Sequence, residues 1–63
     1  MYATEKQINY ILHLADKKGL STDWMDSTWK GYASMRERQG KVVDFLQKMT
    51  KINASKLIKA LKP

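Results

Sequence analysis

Sixty-three residues suffice for one small domain, and a chain of this size buries only about 60% of the surface that it exposes when unfolded. With no cysteine and a single histidine, His13, it has neither a disulfide staple nor the ligands of a zinc site. Cohesion must come from helix packing, from a partner or from self-association. The formal charge is +6 and unevenly placed: residues 1–29 carry three lysines against four carboxylates, whereas residues 30–63 carry nine cations against two.

That polarity raises the odds of an anionic partner. A solvated lysine surface that keeps a small protein in solution is the competing explanation. No stretch approaches the roughly 20 apolar residues of a membrane span, and no membrane role is expected. The start, Met1-Tyr2-Ala3-Thr4-Glu5, lacks the basic and apolar regions of a signal peptide. The expectation is a cytoplasmic protein, intact from Met1.

The first element is a helix over residues 4–18. Thr4 is an N-cap with Gln7 three positions on, the spacing of a capping box. Glu5 suits the positive end of the helix dipole, and Lys17 and Lys18 the negative end. Ile8, Ile11, Leu12 and Ala15 recur at helical spacing, Tyr10 and Leu14 widen the apolar face, and Gly19 supplies the left-handed stop. Tyr10 is assigned to the core.

Residues 20–40 are harder to read. Ser21, Thr22 and Asp23 are caps for a short helix carrying Trp24 and Met25. Ser27 or Thr28 caps another carrying Trp29, Tyr32 and Met35. Gly31 costs about 1 kcal/mol inside a helix. The run Arg36-Glu37-Arg38-Gln39-Gly40 reads as an exposed loop.

Val42, Val43, Phe45, Leu46 and Met49 give a short helix over Lys41–Lys48, with Phe45 in the core. A brief strand at the valines and one continuous helix to Lys62 are the alternatives. Thr50, with Asn53 three residues on, argues for a fresh helix start. Ala54, Leu57, Ile58 and Leu61 form its apolar stripe, and Pro63 follows. At about 100° per residue, Lys51, Lys56, Lys59 and Lys62 fall on an adjoining arc, with Lys51 and Lys62 closest together. The whole is expected to be an all-α fold, a single small bundle of three or four short helices. Its first and last members pack through Ile11, Leu14, Leu57, Ile58 and Leu61.

Two stretches carry a resemblance. Thr4-Glu5-Lys6-Gln7-Ile8-Asn9-Tyr10-Ile11 with Leu14, and Ala54-Ser55-Lys56-Leu57-Ile58 with Leu61, follow the pattern TxKQxxYIxxL, a variable middle, then ASxLIxxL. This resembles a small helical module found in phage recombination proteins, in exonuclease tails and as short stand-alone phage or bacterial proteins. The likeness covers about half the chain, and the Trp-rich middle departs from the module's short connector. It implies a place near DNA metabolism and transfers no catalytic residue.

No catalytic constellation is legible. His13 shares a polar face with Asn9, Asp16 and Lys17, and Gly19, Gly31 and Gly40 are isolated, so neither triad chemistry nor a phosphate loop is expected. Asp23 and Asp26 read as caps rather than a cation site, since hard cations take about six oxygens. No metal, no cofactor and no enzymatic activity are expected. The best functional candidates are cations: Lys48, Lys51, Lys59 and Lys62, with Arg36, Arg38 and Lys41, form a set able to track phosphates. Lysines far outnumber arginines, which favours point-charge contact over base readout. Trp24, Trp29 and Tyr32 are candidate stacking rings, with core filling as their alternative.

The leading expectation is a non-enzymatic accessory module that binds nucleic acid with little sequence preference or docks on a nucleic-acid-processing complex. The second is a protein-interaction domain, such as a small phage-encoded modulator of a host enzyme, anchored by Trp24, Trp29 and Met35. Self-association is the third.

Overall fold

Thr4 and Gln7 meet as their spacing predicts. In the computed structural model, which describes residues 1–62, the Gln7 backbone N–H donates to the Thr4 hydroxyl at 3.1 Å and the Thr4 N–H to the Gln7 side-chain oxygen at 3.0 Å. Two of the orphan donors at a helix start are thereby satisfied. The elements in chain order are α1 (Glu5–Lys18), a 3₁₀ turn (Ser27–Trp29), α2 (Val42–Gln47) and α3 (Lys51–Leu61). Pro63 lies outside the described residues. The architecture is a small all-α bundle, and the only extended pairing among the described residues is in isolated bridges.

α1 stops at Gly19, whose φ of 80° is the left-handed conformation that a side chain would strain. There the Gly19 N–H reaches the Asp16 carbonyl at 3.1 Å and the Leu20 N–H the Ala15 carbonyl at 2.8 Å. These are the paired bonds that close a helix through a left-handed residue. Thr50 starts α3 in the same manner as Thr4 starts α1, its hydroxyl accepting from the Asn53 N–H at 3.1 Å. This cap separates α2 from α3. Between them the Lys48 and Met49 N–H groups reach back only three residues, to Phe45 and Leu46, and Thr50 is extended. Neither a continuous helix nor a strand at Val42 and Val43 forms.

α1 packs chiefly on α3 and more lightly on α2. Ile11, Leu14 and Ala15 meet Ala54, Leu57 and Leu61 in one core that also takes Val42 and Leu46, with Ile58 half-buried at its margin. Each fully buried aliphatic side chain contributes about 1.5–3 kcal/mol. Tyr10 is the exception to the expected core. It lies one position off the buried stripe, is 40% exposed, and holds the Lys62 ammonium 5.7 Å from its ring centre. Phe45 is half-buried and meets the Trp29 ring edge-on at 6.2 Å.

The middle departs from expectation. Trp24 and Met25 lie on no helix. Instead Asp23–Met25 runs antiparallel to Gly40–Val42, with the Met25 N–H donating to the Gly40 carbonyl at 2.8 Å and the Val42 N–H to the Asp23 carbonyl at 3.0 Å. Extended backbone sends successive side chains to opposite faces, so Met25 enters the core and Trp24 points out. The second expected helix shrinks to the 3₁₀ turn. Its cap is Asp26 rather than Ser27 or Thr28, through the Thr28 N–H at 2.9 Å. Tyr32 and Met35 fall beyond it, and Met35 is 79% exposed. Ser34 and Glu37 cap a single turn reciprocally, Ser34 N–H to the Glu37 carboxylate at 2.9 Å and Glu37 N–H to the Ser34 hydroxyl at 3.3 Å.

The residues before α1 are also tied down. The Ala3 N–H donates to the Met49 carbonyl at 2.8 Å and the Lys51 N–H to the Met1 carbonyl at 3.1 Å. Tyr2 thus sits opposite Thr50 in the same pairing geometry that sets Trp24 opposite Lys41.

Candidate functional site

The two tryptophans have opposite fates. Trp29 is fully buried, its indole N–H donating to the Ser21 carbonyl at 2.8 Å and its ring meeting Tyr32 and Phe45 edge-to-face. Burying an indole requires a partner for that N–H, and the Ser21 carbonyl supplies it. Trp29 is therefore removed from the candidate stacking rings. Trp24 is 55% exposed, and Lys41 holds its ammonium 5.6 Å from the ring centre. The bonds flanking this pair, 25 to 40 and 42 to 23, leave residues 24 and 41 as a non-hydrogen-bonded pair. That is the register in which facing side chains lie closest. Lys41 is also the residue from which α2 starts, and no side chain caps that start.

The candidate cations differ in what they stand beside. Arg36 and Lys48 line an open groove of about 880 Å³ between the 31–40 segment, α2 and α3, and Lys56 joins them there. The groove's apolar lining comes from Tyr32, Phe45, Met49 and Leu57, and two carboxylates, Glu37 and Asp44, share the rim. On the opposite flank of α3 the Lys51 carbonyl accepts from the Gln7 side chain at 3.3 Å, and Lys62 lies against Tyr10. Lys62, just past the end of α3, therefore stands beside α1, and Lys56 stands at the groove. Lys59 is exposed and outside the groove.

Arg38 is not the exposed arm that its loop suggests. It is half-buried, and its Nε finds no hydrogen-bond acceptor among the described residues. Lys51 is likewise half-buried. Tyr32 is half-buried, its ring centre 6.3 Å from that of Trp29 in a T-shaped contact, and it also lines the groove.

Two carboxylates are occupied locally. The Thr28 hydroxyl and then the Thr28 N–H donate to Asp26 and hold its carboxyl below the ordinary range. The Ser34 N–H and then the Ser34 hydroxyl do the same for Glu37. Both are anions near neutral pH. No cluster of three or more potential metal ligands occurs among the described residues; Asp26 caps the 3₁₀ turn through its carboxylate, whereas Asp23 takes part through its backbone carbonyl and caps no helix. Among the described residues no helix is long and apolar enough to cross a membrane.

Two features escaped the sequence reading. Lys56 was visible as part of the α3 arc, but its place in the groove depends on what packs beside α3. The Ser34–Glu37 cap had a signal in plain sight, a serine with glutamate three residues on. Comparison with protein-family models, with characterised proteins and with solved structures finds no match.

Proposed function

We propose that this chain is a non-enzymatic accessory module that binds nucleic acid with little sequence preference, working beside a nucleic-acid-processing complex. One observation carries the reading. Of the nine cations in residues 30–62, seven are exposed, namely Lys30, Arg36, Lys41, Lys48, Lys56, Lys59 and Lys62, against two carboxylates in the same stretch. They spread over the groove rim, both flanks of α3 and the Trp24 pair, which suits a flexible polyanion better than one compact ligand. Six of the seven are lysines, which meet phosphate as point charges and carry little base discrimination.

The test is a salt titration of binding to mixed-sequence DNA. Affinity should fall steeply between about 50 and about 200 mM salt, as counterion release requires. Reversing Lys56 and Lys59 together to glutamate should weaken binding several-fold without changing the helical signal. Absence of binding at low salt overturns the proposal.

A second reading, docking onto a protein of nucleic-acid metabolism, is favoured by the groove, whose aromatic and aliphatic lining is what interface anchors fill. It requires a complex that survives nuclease and high salt, and that is lost when Phe45 and Met49 are shortened.

A further inference from the structure

Trp24 has no structural task that its exposure explains. Its neighbour Met25 fills the core, the fold's buried indole is Trp29, and the bonds that fix the strand pair are all backbone. About half of the largest side chain in the repertoire is left in water by a domain with little core to spare. Beside that ring stands the ammonium group of Lys41, the residue directly opposite Trp24 in the pairing.

We infer that Trp24 and Lys41 form a stacking site for single-stranded nucleic acid, the indole taking the face of an unpaired base and the lysine its phosphate. This rests on the nucleic-acid reading above and narrows it from any polyanion to strands with free base faces. An exposed indole offers nothing to a duplex, whose bases are already stacked, whereas base–aromatic stacking is sequence-tolerant and specific to single strands. The geometry suits the task in two ways. The backbone bonds at 2.8 and 3.0 Å on either side of the pair fix the main chain that carries both side chains, so no ordering of backbone falls on binding. Trp24 keeps 55% of its surface in water with the Lys41 ammonium 5.6 Å from its ring centre, so apolar ring and cation are offered side by side, as a base and its adjoining phosphate require. The basic surface of residues 30–62 then supplies the path for the rest of the strand.

The experiment uses the full chain and its two tryptophans. Trp24 emits from water and Trp29 from the core, so an oligothymidylate of about a dozen nucleotides should quench the red part of the emission and leave the blue part unchanged. Trp24→Ala should weaken oligothymidylate binding by about 10- to 100-fold, Trp24→Phe should recover most of it, and Lys41→Gln should cost a few-fold. In both Trp24 variants the remaining Trp29 emission reports that the fold is intact. A mixed-sequence duplex of equal phosphate number should bind at least several-fold more weakly and be indifferent to Trp24→Ala. If the duplex binds as tightly as the single strand, or if Trp24→Ala leaves the single strand unaffected, the stacking site is overturned and the lysine-based reading stands. If neither strand type binds at low salt, both fail.

Discussion

The α1–α3 pair and the segment from Leu20 to Lys41 are held in place by different means. In the helical pair every end is decided within a few residues: Thr4 with Gln7, Gly19 with Ala15 and Asp16, Thr50 with Asn53. In the middle segment regular structure is almost absent. Besides local caps at Asp26 and Ser34–Glu37, its order comes from the buried Met25 and Trp29, the Trp29–Ser21 bond and two backbone bonds that involve Gly40 and Val42. A helix carries its own hydrogen-bond partners, so its limits are local. An extended or turning segment must borrow partners from elsewhere in the chain, so its shape is settled only when the fold closes.

The sharpest way to break this comparison is at Trp29. Removing a fully buried tryptophan side chain costs about 3–5 kcal/mol, as much as a core of this size supplies. Trp29→Ala should therefore abolish cooperative unfolding in denaturant and take most of the helical circular dichroism with it, whereas Trp24→Ala should shift the midpoint little. If Trp29→Ala kept a cooperative helical transition, the middle segment would be mere drapery over an autonomous helical frame.

A smaller effect is expected at the caps. Thr50→Ala leaves the Asn53 N–H without its partner and should cost about 1 kcal/mol. It should also weaken the pairing of Tyr2 with residue 50, which hydrogen exchange at the Ala3 and Lys51 amides would report. Equal protection in variant and parent would show that the N-terminal bridge does not depend on the cap.

The smallest effect belongs to acid. Asp26 and Glu37 have folded-state affinities for protons depressed by the Thr28 and Ser34 donors, so each adds stability above its unfolded pKa that is lost as pH falls through the folded value. The loss should therefore appear below about pH 4. Both carboxylates are exposed, so the change is slight. A thermal midpoint that drops between about pH 5 and about pH 3 should drop less in Asp26→Asn, and an identical drop would assign acid sensitivity elsewhere.

Local chemistry thus made much of the frame legible. The capping box, the glycine stop at residue 19 and the stripe Ala54, Leu57, Ile58 and Leu61 are signals confined to one helical turn or one helix face, and they appear in the structure where the residues place them, with Ile58 half-buried and the other three buried. The same logic misled at Tyr10, because a residue one position off a buried stripe is tipped in or out by what packs there, and Lys62 packs there. It misled again at Ser21–Asp23, where cap-like residues precede no helix because the Met25 N–H finds Gly40 and the Asp23 carbonyl finds Val42.

For the candidate site the division is sharper. Charge and aromatic content are properties of the residues themselves, so the basic half and the set Trp24, Trp29 and Tyr32 could be named from composition alone. Which indole meets water depended on strand alternation across a pairing between residues 24 and 41, too distant in sequence for any local pattern. Lys56 and Lys62 were likewise given different neighbours by packing, the 31–40 segment with α2 for the first and Tyr10 of α1 for the second. Short-range hydrogen bonding is written residue by residue. Exposure is a relation between segments, and it exists only once they are packed.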